Sequence, residues 1–264
     1  MVREITHPTD NAARGVWWRL GAGRGIEAQR RVLGVPQFTP KEGHQMGTFY
    51  AAVEVFDPEG PANMPDAAEY GGEARFFVLT AEDLSEALAT LANSIAVNGL
   101  RLDRVLHAGA VEAFDDEILP FEIDIDGMAE TAQGSGEICV SESHPFEPDE
   151  TDGVASGVYA VCIDAFDMEW ADEDEGEYGG HYQLAVIKAE TAADALQQLV
   201  EDFEAEGIVI LSLEGLVDAK AFPFDAYEFQ FEEDDAVGEV LEQGGMIVSN
   251  AYAYPPEAPR KLDS

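Results

Sequence analysis

The chain is written twice. Glu69-Tyr70-Gly71-Gly72 returns as Glu177-Tyr178-Gly179-Gly180, and the correspondence then holds at a spacing of 108 residues almost to the end. From Glu69 to Leu91 against Glu177 to Leu199, ten of twenty-three positions are identical. What one copy folds into the other must fold into as well, and 264 residues suit two modest units. The expected organisation is a basic, mobile leader over 1–46, a first copy over 47–146, a linker over 147–156, a second copy over 157–254 and a tail over 255–264.

Each copy opens on an alternating strand, Gly47 to Asp57 or Gly157 to Asp167. A loop and the Tyr-Gly-Gly turn lead into a second strand, Arg75 to Thr80 or Gln183 to Lys188, expected to pair antiparallel with the first. Leu84, Ala87, Leu88, Leu91, Ala92 and Ile95 then form a helical stripe, repeated by Ala192, Ala195, Leu196, Leu199, Val200 and Phe203. Thr80 with Asp83 reads as a capping box, and Gly99 and Gly207 as left-handed helix ends. A third strand follows from Leu100 and from Ile208. Beyond it come a further strand (119–123; 227–231), a short helix (126–132; 234–242) and a last strand (138–141; 246–249). The fold class is therefore α+β: two tandem repeats, each β-β-α-β-(β)-(α)-β, a mainly antiparallel sheet with one long amphipathic helix on one face.

Charge is the second constraint. The chain has 54 Asp or Glu against 14 Lys or Arg, a formal net of −40. Residues 1–46 hold seven basic and four acidic residues, so residues 47–264 hold 7 and 50. Such a body repels nucleic acid, whose binding proteins neutralise phosphates, and anionic membranes too. It attracts a basic protein: a toxin, a nuclease or another nucleic-acid-binding protein. In charge, though not in sequence, it is similar to immunity proteins of bacterial toxins and to phage inhibitors that imitate DNA. The expectation is a non-enzymatic acidic module that covers a basic partner surface. Two alternatives stand beside it. One is adaptation to a salt-rich cytosol, suggested by only four lysines; the other is an enzyme or small-ligand binder with its site between the copies.

Chemical motifs are sparse. His7, His44, His107, His144 and His181 are dispersed, and none in the body is matched by a histidine in the other copy. Ser135 lies in a glycine turn before a strand, the reverse of a nucleophile elbow. The acidic runs 124–127 and 172–176 lack the glycine and terminal glutamate of a calcium loop. Cys139 and Cys162 fall in apolar strands opposite Ile247 and Ala52, as small core side chains do. No catalytic residue, cofactor or metal is expected, and the cysteine usage with no long apolar run points to the cytoplasm.

The candidate partner-binding residues are Glu169, Trp170, Asp172, Glu173, Asp174, Glu175, Glu177 and Tyr178. They combine the densest acid of the chain with two aromatics of the kind that anchor interfaces. Charge repulsion is expected to hold this loop extended. The plain alternative has Trp170 folded back on the core, and Tyr70 and Tyr178 as structural residues of a shared turn.

Overall fold

The computed structural model describes residues 46–58, 70–114, 121–146, 156–173, 178–224, 227 and 233–256, with backbone only for 172–173 and 233–235. The leader before Met46, most of the linker, most of the 227–231 strand and the tail beyond 256 lie outside the described residues. The first stretch runs β1 (Gly47–Phe56), β2 (Gly72–Ala81), α1 (Leu84–Val97), β3 (Arg101–Ala110), α2 (Ile125–Ser135), β4 (Cys139–Val140) and β5 (His144–Phe146). The second runs β6 (Val158–Asp167), α3 (Met168–Glu173), β7 (Gly180–Lys188), α4 (Ala192–Ala205), β8 (Ile208–Asp218), α5 (Glu233–Gln243), β9 (Met246–Val248) and β10 (Tyr252–Tyr254).

The fold is α+β, and every paired strand is antiparallel. The ten strands of the described residues join one sheet, ordered β10-β7-β6-β8-β3-β1-β2-β4, with β5 also on β2 and β9 on β7. The strands of the two stretches meet at β3 and β8, where Val105 opposes Leu216 and Ala108 opposes Leu213. Leu213 and Leu216 stand 108 residues after Val105 and Ala108. α1 and α4 cover one face over a single apolar cluster that includes Val53, Leu88, Leu91, Ile163, Leu196, Leu199 and Leu213. On the opposite face α2 covers a cluster around Phe76, and α5 one around Leu184.

β3 and β8 do not alternate. Leu102, Val105 and Ala108 face the helical core at every third residue, as do Ile210, Leu213 and Leu216. Register shifts between Ala52 and Val53, Glu54 and Val55, Ala160 and Cys162, and Asp164 and Ala165 explain the spacing. Each bulge inserts an unpaired residue and lets a strand imitate a helical period.

Several local expectations need correcting. Thr80 sits inside β2 opposite Thr48, so the capping box lies further on: Asp83 Oδ1 accepts the Glu86 N–H at 2.9 Å and Glu86 Oε2 accepts the Glu82 N–H at 2.6 Å. Gly99 and Gly207 do end their helices at φ +74 and +73. Phe121–Ile123 form no strand, and β5 and β10 are additional edge strands. Both edges are pinched at a serine. Ser141 exchanges bonds with Phe76, and Ser249 with Leu184, which breaks the edge that a foreign strand would extend. Cys139 packs against the cluster under α2, and Cys162 lies in the one under α5.

The Tyr-Gly-Gly turn has a steric cause. Gly72 and Gly180 hold φ of +150 and +145, with the Phe146 and Tyr254 rings lying over them. A Cβ on Gly180 would stand 2.3 Å from the Tyr254 hydroxyl. Only glycine fits both the backbone and the ring.

Candidate functional site at the acidic end of the sheet

Strand direction decides where charge accumulates. Gly47 opposes Ala81, Phe49 opposes Ala110, Gly109 opposes Ser212 and Asp167 opposes Ile208, so these residues share one end of the sheet. At the other end Phe56 opposes Arg101, Val158 opposes Lys188 and Tyr159 opposes Asp218. α1 starts just after Ala81 and α4 finishes just before Ile208, so the start of one and the finish of the other lie at the first end, joined there by α3.

That end carries exposed Glu82 and Glu86 from the start of α1, Glu169 from α3, and Glu201, Asp202, Glu204 and Glu206 from the finish of α4. The described residues include five Lys or Arg, and all lie toward the opposite end. There Arg75 pairs with Glu73 at 2.6 Å, Arg101 with Asp103 at 2.6 Å, and Arg104 with Glu54. Lys188 Nζ donates to the Leu241 carbonyl at 2.7 Å, and Lys220 follows Asp218. Among the described residues the first end is thus a negative pole without Lys or Arg.

α3 builds one wall of the pole, and here the loop expected to be extended is helical over Met168–Glu173. Its first turn is held by Asp167, whose Oδ1 accepts the N–H of Glu169 at 2.8 Å and of Trp170 at 3.2 Å. These bonds satisfy donors that a helix start otherwise leaves open. The Trp170 ring then packs edge-on against Tyr178, centroids 5.7 Å apart, and lies 5.2 Å from His181. Capping and ring packing together outweigh the repulsion that favours an extended loop. Of the sequence-nominated residues, the structure brings Trp170 and Tyr178 into contact and leaves Glu169 exposed. Asp172 and Glu173 are described in backbone only, and Asp174, Glu175 and Glu177 lie outside the described residues.

Beneath α3 the Tyr178 hydroxyl accepts the Asp167 N–H at 3.0 Å and meets His181 Nδ1 at 2.5 Å. With the hydroxyl giving its proton to Nδ1, the imidazole proton resides on Nε2. His181 is 2 % exposed. Burial pushes its pKa down to about 4, a fall that the nearby Asp167 charge opposes, so the ring is neutral at pH 7. In the first stretch Tyr70 accepts the Asp57 N–H at 3.3 Å, while Glu73 replaces the histidine and pairs with Arg75. The tyrosine closes the turn in both places.

A second polar constellation lies where β3 meets β8, on the face away from α1 and α4. Tyr50 Oη is 2.7 Å from His107 Nδ1, and His107 Nε2 is 3.9 Å from Glu214 Oε1. Nearby, Tyr254 donates to the buried Asp164 at 2.7 Å, and burial beside that carboxylate holds the Tyr254 phenol above its usual pKa. Tyr50 with His107 and Tyr254 with Asp164 are each hydrogen-bonded, which is how buried polar side chains are retained in a core. Sequence reasoning missed both the seam and the pole. The signal for the pole was legible: α4 ends on Glu201, Asp202 and Glu204 with no Lys or Arg in its last turn.

Among the described residues no group of three or more His, Cys, Asp or Glu is placed to hold a metal ion. No described helix is long and apolar enough to cross a membrane. Comparison with protein-family models, curated proteins and solved structures finds no match to this chain.

Proposed function

We propose that the chain is a non-enzymatic acidic binding protein whose negative pole covers a basic surface of another protein, such as a toxin, a nuclease or another nucleic-acid-binding protein. The observation that carries this reading is the absence of Lys and Arg, among the described residues, from an end where three helices expose carboxylates. Solubility alone does not call for that placement. Anions at a helix C-terminus oppose the macrodipole by about 0.3–1 kcal/mol each, so the finish of α4 is less stable than a neutral one would be. A coherent negative face competes with the phosphates of nucleic acid for the same lysines and arginines, and chiefly accelerates and orients encounter.

The pole and the fold repeat have one origin in this reading. Residues 47–146 and 157–254 are tandem copies fused across β3 and β8. Supporting it are the matching element order, the Val105–Leu216 and Ala108–Leu213 register, and the equivalent pairs Gly72 with Phe146 and Gly180 with Tyr254. Related by such a seam, the copies run in opposite directions, which carries the start of one long helix to the finish of the other.

The test is capture from source cells by the immobilised full chain at low and high salt. The control is a variant with Glu201→Gln, Asp202→Asn, Glu204→Gln and Glu206→Gln. A basic protein held by the chain, released by salt and not held by the variant is the expected result. Equal capture by both proteins refutes the reading. Circular dichroism against KCl addresses salt adaptation, which requires that the fold be incomplete in dilute buffer.

A further inference from the structure

The finish of α1 brings together a carboxamide and an unshielded backbone nitrogen. Asn98 is the C-cap of the helix, at φ −81 and ψ 5, and Gly99 follows at φ +74. Of the five asparagines in the chain, Asn11, Asn63, Asn93, Asn98 and Asn250, only Asn98 precedes glycine. Both residues are exposed, and nothing beyond its chain neighbours stands within 4 Å of where a Cβ on Gly99 would be. A backbone nitrogen with no side chain beside it is the most accessible nucleophile that an asparagine carboxamide meets within its own chain.

The hydrogen bonds of the turn restrain that pair. The Gly99 N–H donates to the Ala96 carbonyl at 3.0 Å and the Leu100 N–H to that of Ile95 at 3.1 Å, the two bonds of a Schellman end. Asn98 Nδ2 donates to the Ser94 carbonyl at 2.8 Å. One bond occupies the proton that the nucleophile must shed, and another anchors the leaving group. Both lie where α1 is least secured. Ala96, Val97, Asn98 and Gly99 are all exposed, and Ile95 is the last buried residue of the helix. A helix end with so few buried contacts opens at a small part of the global unfolding free energy.

We propose that Asn98 is a site of spontaneous deamidation, gated by fraying of the last turn of α1. Once the turn opens, the Gly99 nitrogen gives its proton to hydroxide and bonds to Asn98 Cγ. The Cγ–Nδ2 bond breaks, and the nitrogen leaves as ammonia. The resulting succinimide then takes up water. Cleavage of its ring bond at Cγ leaves aspartate at 98, whereas cleavage at the backbone carbonyl routes the chain through the side chain as isoaspartate. Aspartate suits the fold, because the residue 108 places on is Glu206, the C-cap of α4 before Gly207. Isoaspartate does not: an extra backbone atom between residue 98 and Gly99 puts the Schellman bonds out of step and loosens the turn into β3. Either product adds a negative charge at the end of the sheet that holds Arg101.

The test incubates the full chain at mildly alkaline pH, in buffer and in guanidinium chloride. Fragment-ion mass spectrometry follows Asn93 and Asn98 in the same peptide. Expected is conversion at Asn98 in buffer that is slower than in denaturant by about 5- to 30-fold, the population of a frayed turn. Asn93, inside α1 and followed by Ser94, is expected to stay an amide in buffer. The Asn98→Gln variant is expected to fold and to form no acidic species from this peptide. Equal rates in the two solvents overturn the gating. So does an Asn98 that reacts in buffer only as fast as global unfolding permits, with the unfolded fraction taken from a denaturant titration. Conversion of Asn93 in buffer as fast as that of Asn98 overturns the assignment of the site.

Discussion

Neutralising the finish of α4 is expected to make the protein more stable and, under the proposed function, a poorer binder of a basic partner. The perturbation is Glu201→Gln, Asp202→Asn, Glu204→Gln and Glu206→Gln. An exposed anion in a last helical turn opposes the macrodipole by about 0.3–1 kcal/mol at low ionic strength. Like charges at i,i+3 and i,i+4, here Glu201 with Glu204 and Asp202 with Glu206, add about 0.2–0.5 kcal/mol per pair. Helix propensity barely changes between Glu and Gln. The bond from Gln197 Nε2 to Glu201 Oε1, 2.7 Å, is one that an amide oxygen can still accept. All four side chains are exposed, so solvent and salt screening discount the sum to about 1–2 kcal/mol. For a chain of this size that raises Tm by roughly 2–8 °C. Thermal unfolding by circular dichroism measures it, with the gain largest at low salt and shrinking at high salt. Asp194→Asn is the control of opposite sign: Asp194 sits in the first turn of α4, where the dipole favours it, and accepts from Thr191 Oγ1 at 2.7 Å. A four-site variant that melts no higher at low salt, or whose gain survives high salt undiminished, refutes the electrostatic account of the pole.

Three further outcomes follow from the buried side chains. His181, with a folded pKa of about 4 against about 6.5 unfolded, contributes stability that is present above pH 6.5 and lost as pH falls toward 4, about 3 kcal/mol in all; in urea unfolding His181→Asn should remove that part of the pH slope, and an unchanged slope would count against the buried neutral ring. Tyr178→Phe strands both the Asp167 N–H and His181 Nδ1, at about 1–3 kcal/mol for each buried group, whereas Tyr70→Phe loses one longer bond for about 1 kcal/mol; equal losses in denaturant titrations would contradict the assignment. Gly180→Ala meets Tyr254 as well as an unfavourable φ and should cost more than about 3 kcal/mol, while Gly99→Ala, with open space around it, should cost only the left-handed backbone term of about 1–2 kcal/mol; chemical denaturation of the two variants separates steric from backbone strain.

What could be read from the sequence was whatever depends on one element at a time. The stripe from Leu84 to Ile95 defines α1 because burial on one helix face needs only local spacing, and Ala192 to Phe203 repeats it. The junction was hidden because bulges space Leu102, Val105 and Ala108 by threes, so β3 does not show the alternation of a half-buried strand. The seam histidine was hidden for a related reason: His107 acquires Tyr50 and Glu214 as neighbours only through pairing with two other strands, and neither residue is near it in sequence. The extended loop was expected from charge repulsion, but a buried carboxylate, Asp167, and the packing of the Trp170 ring make Met168–Glu173 a helix, neither of which the charge pattern reveals.

The pole is the strongest case, because a tally of carboxylates is indifferent to direction. Glu82 and Glu86 are separated from Glu201, Asp202, Glu204 and Glu206 by more than a hundred residues. They become neighbours on one end of the sheet only because β1 and β6 run in opposite senses on either side of the β3–β8 seam. The same geometry sends Arg101, Lys188 and Lys220 to the far end, where carboxylates already match the arginines. A body with few cations thus gathers them at one end without moving any acid. The asymmetry that a basic partner would recognise arises from where the positive charges are withdrawn, as much as from where the negative ones stand.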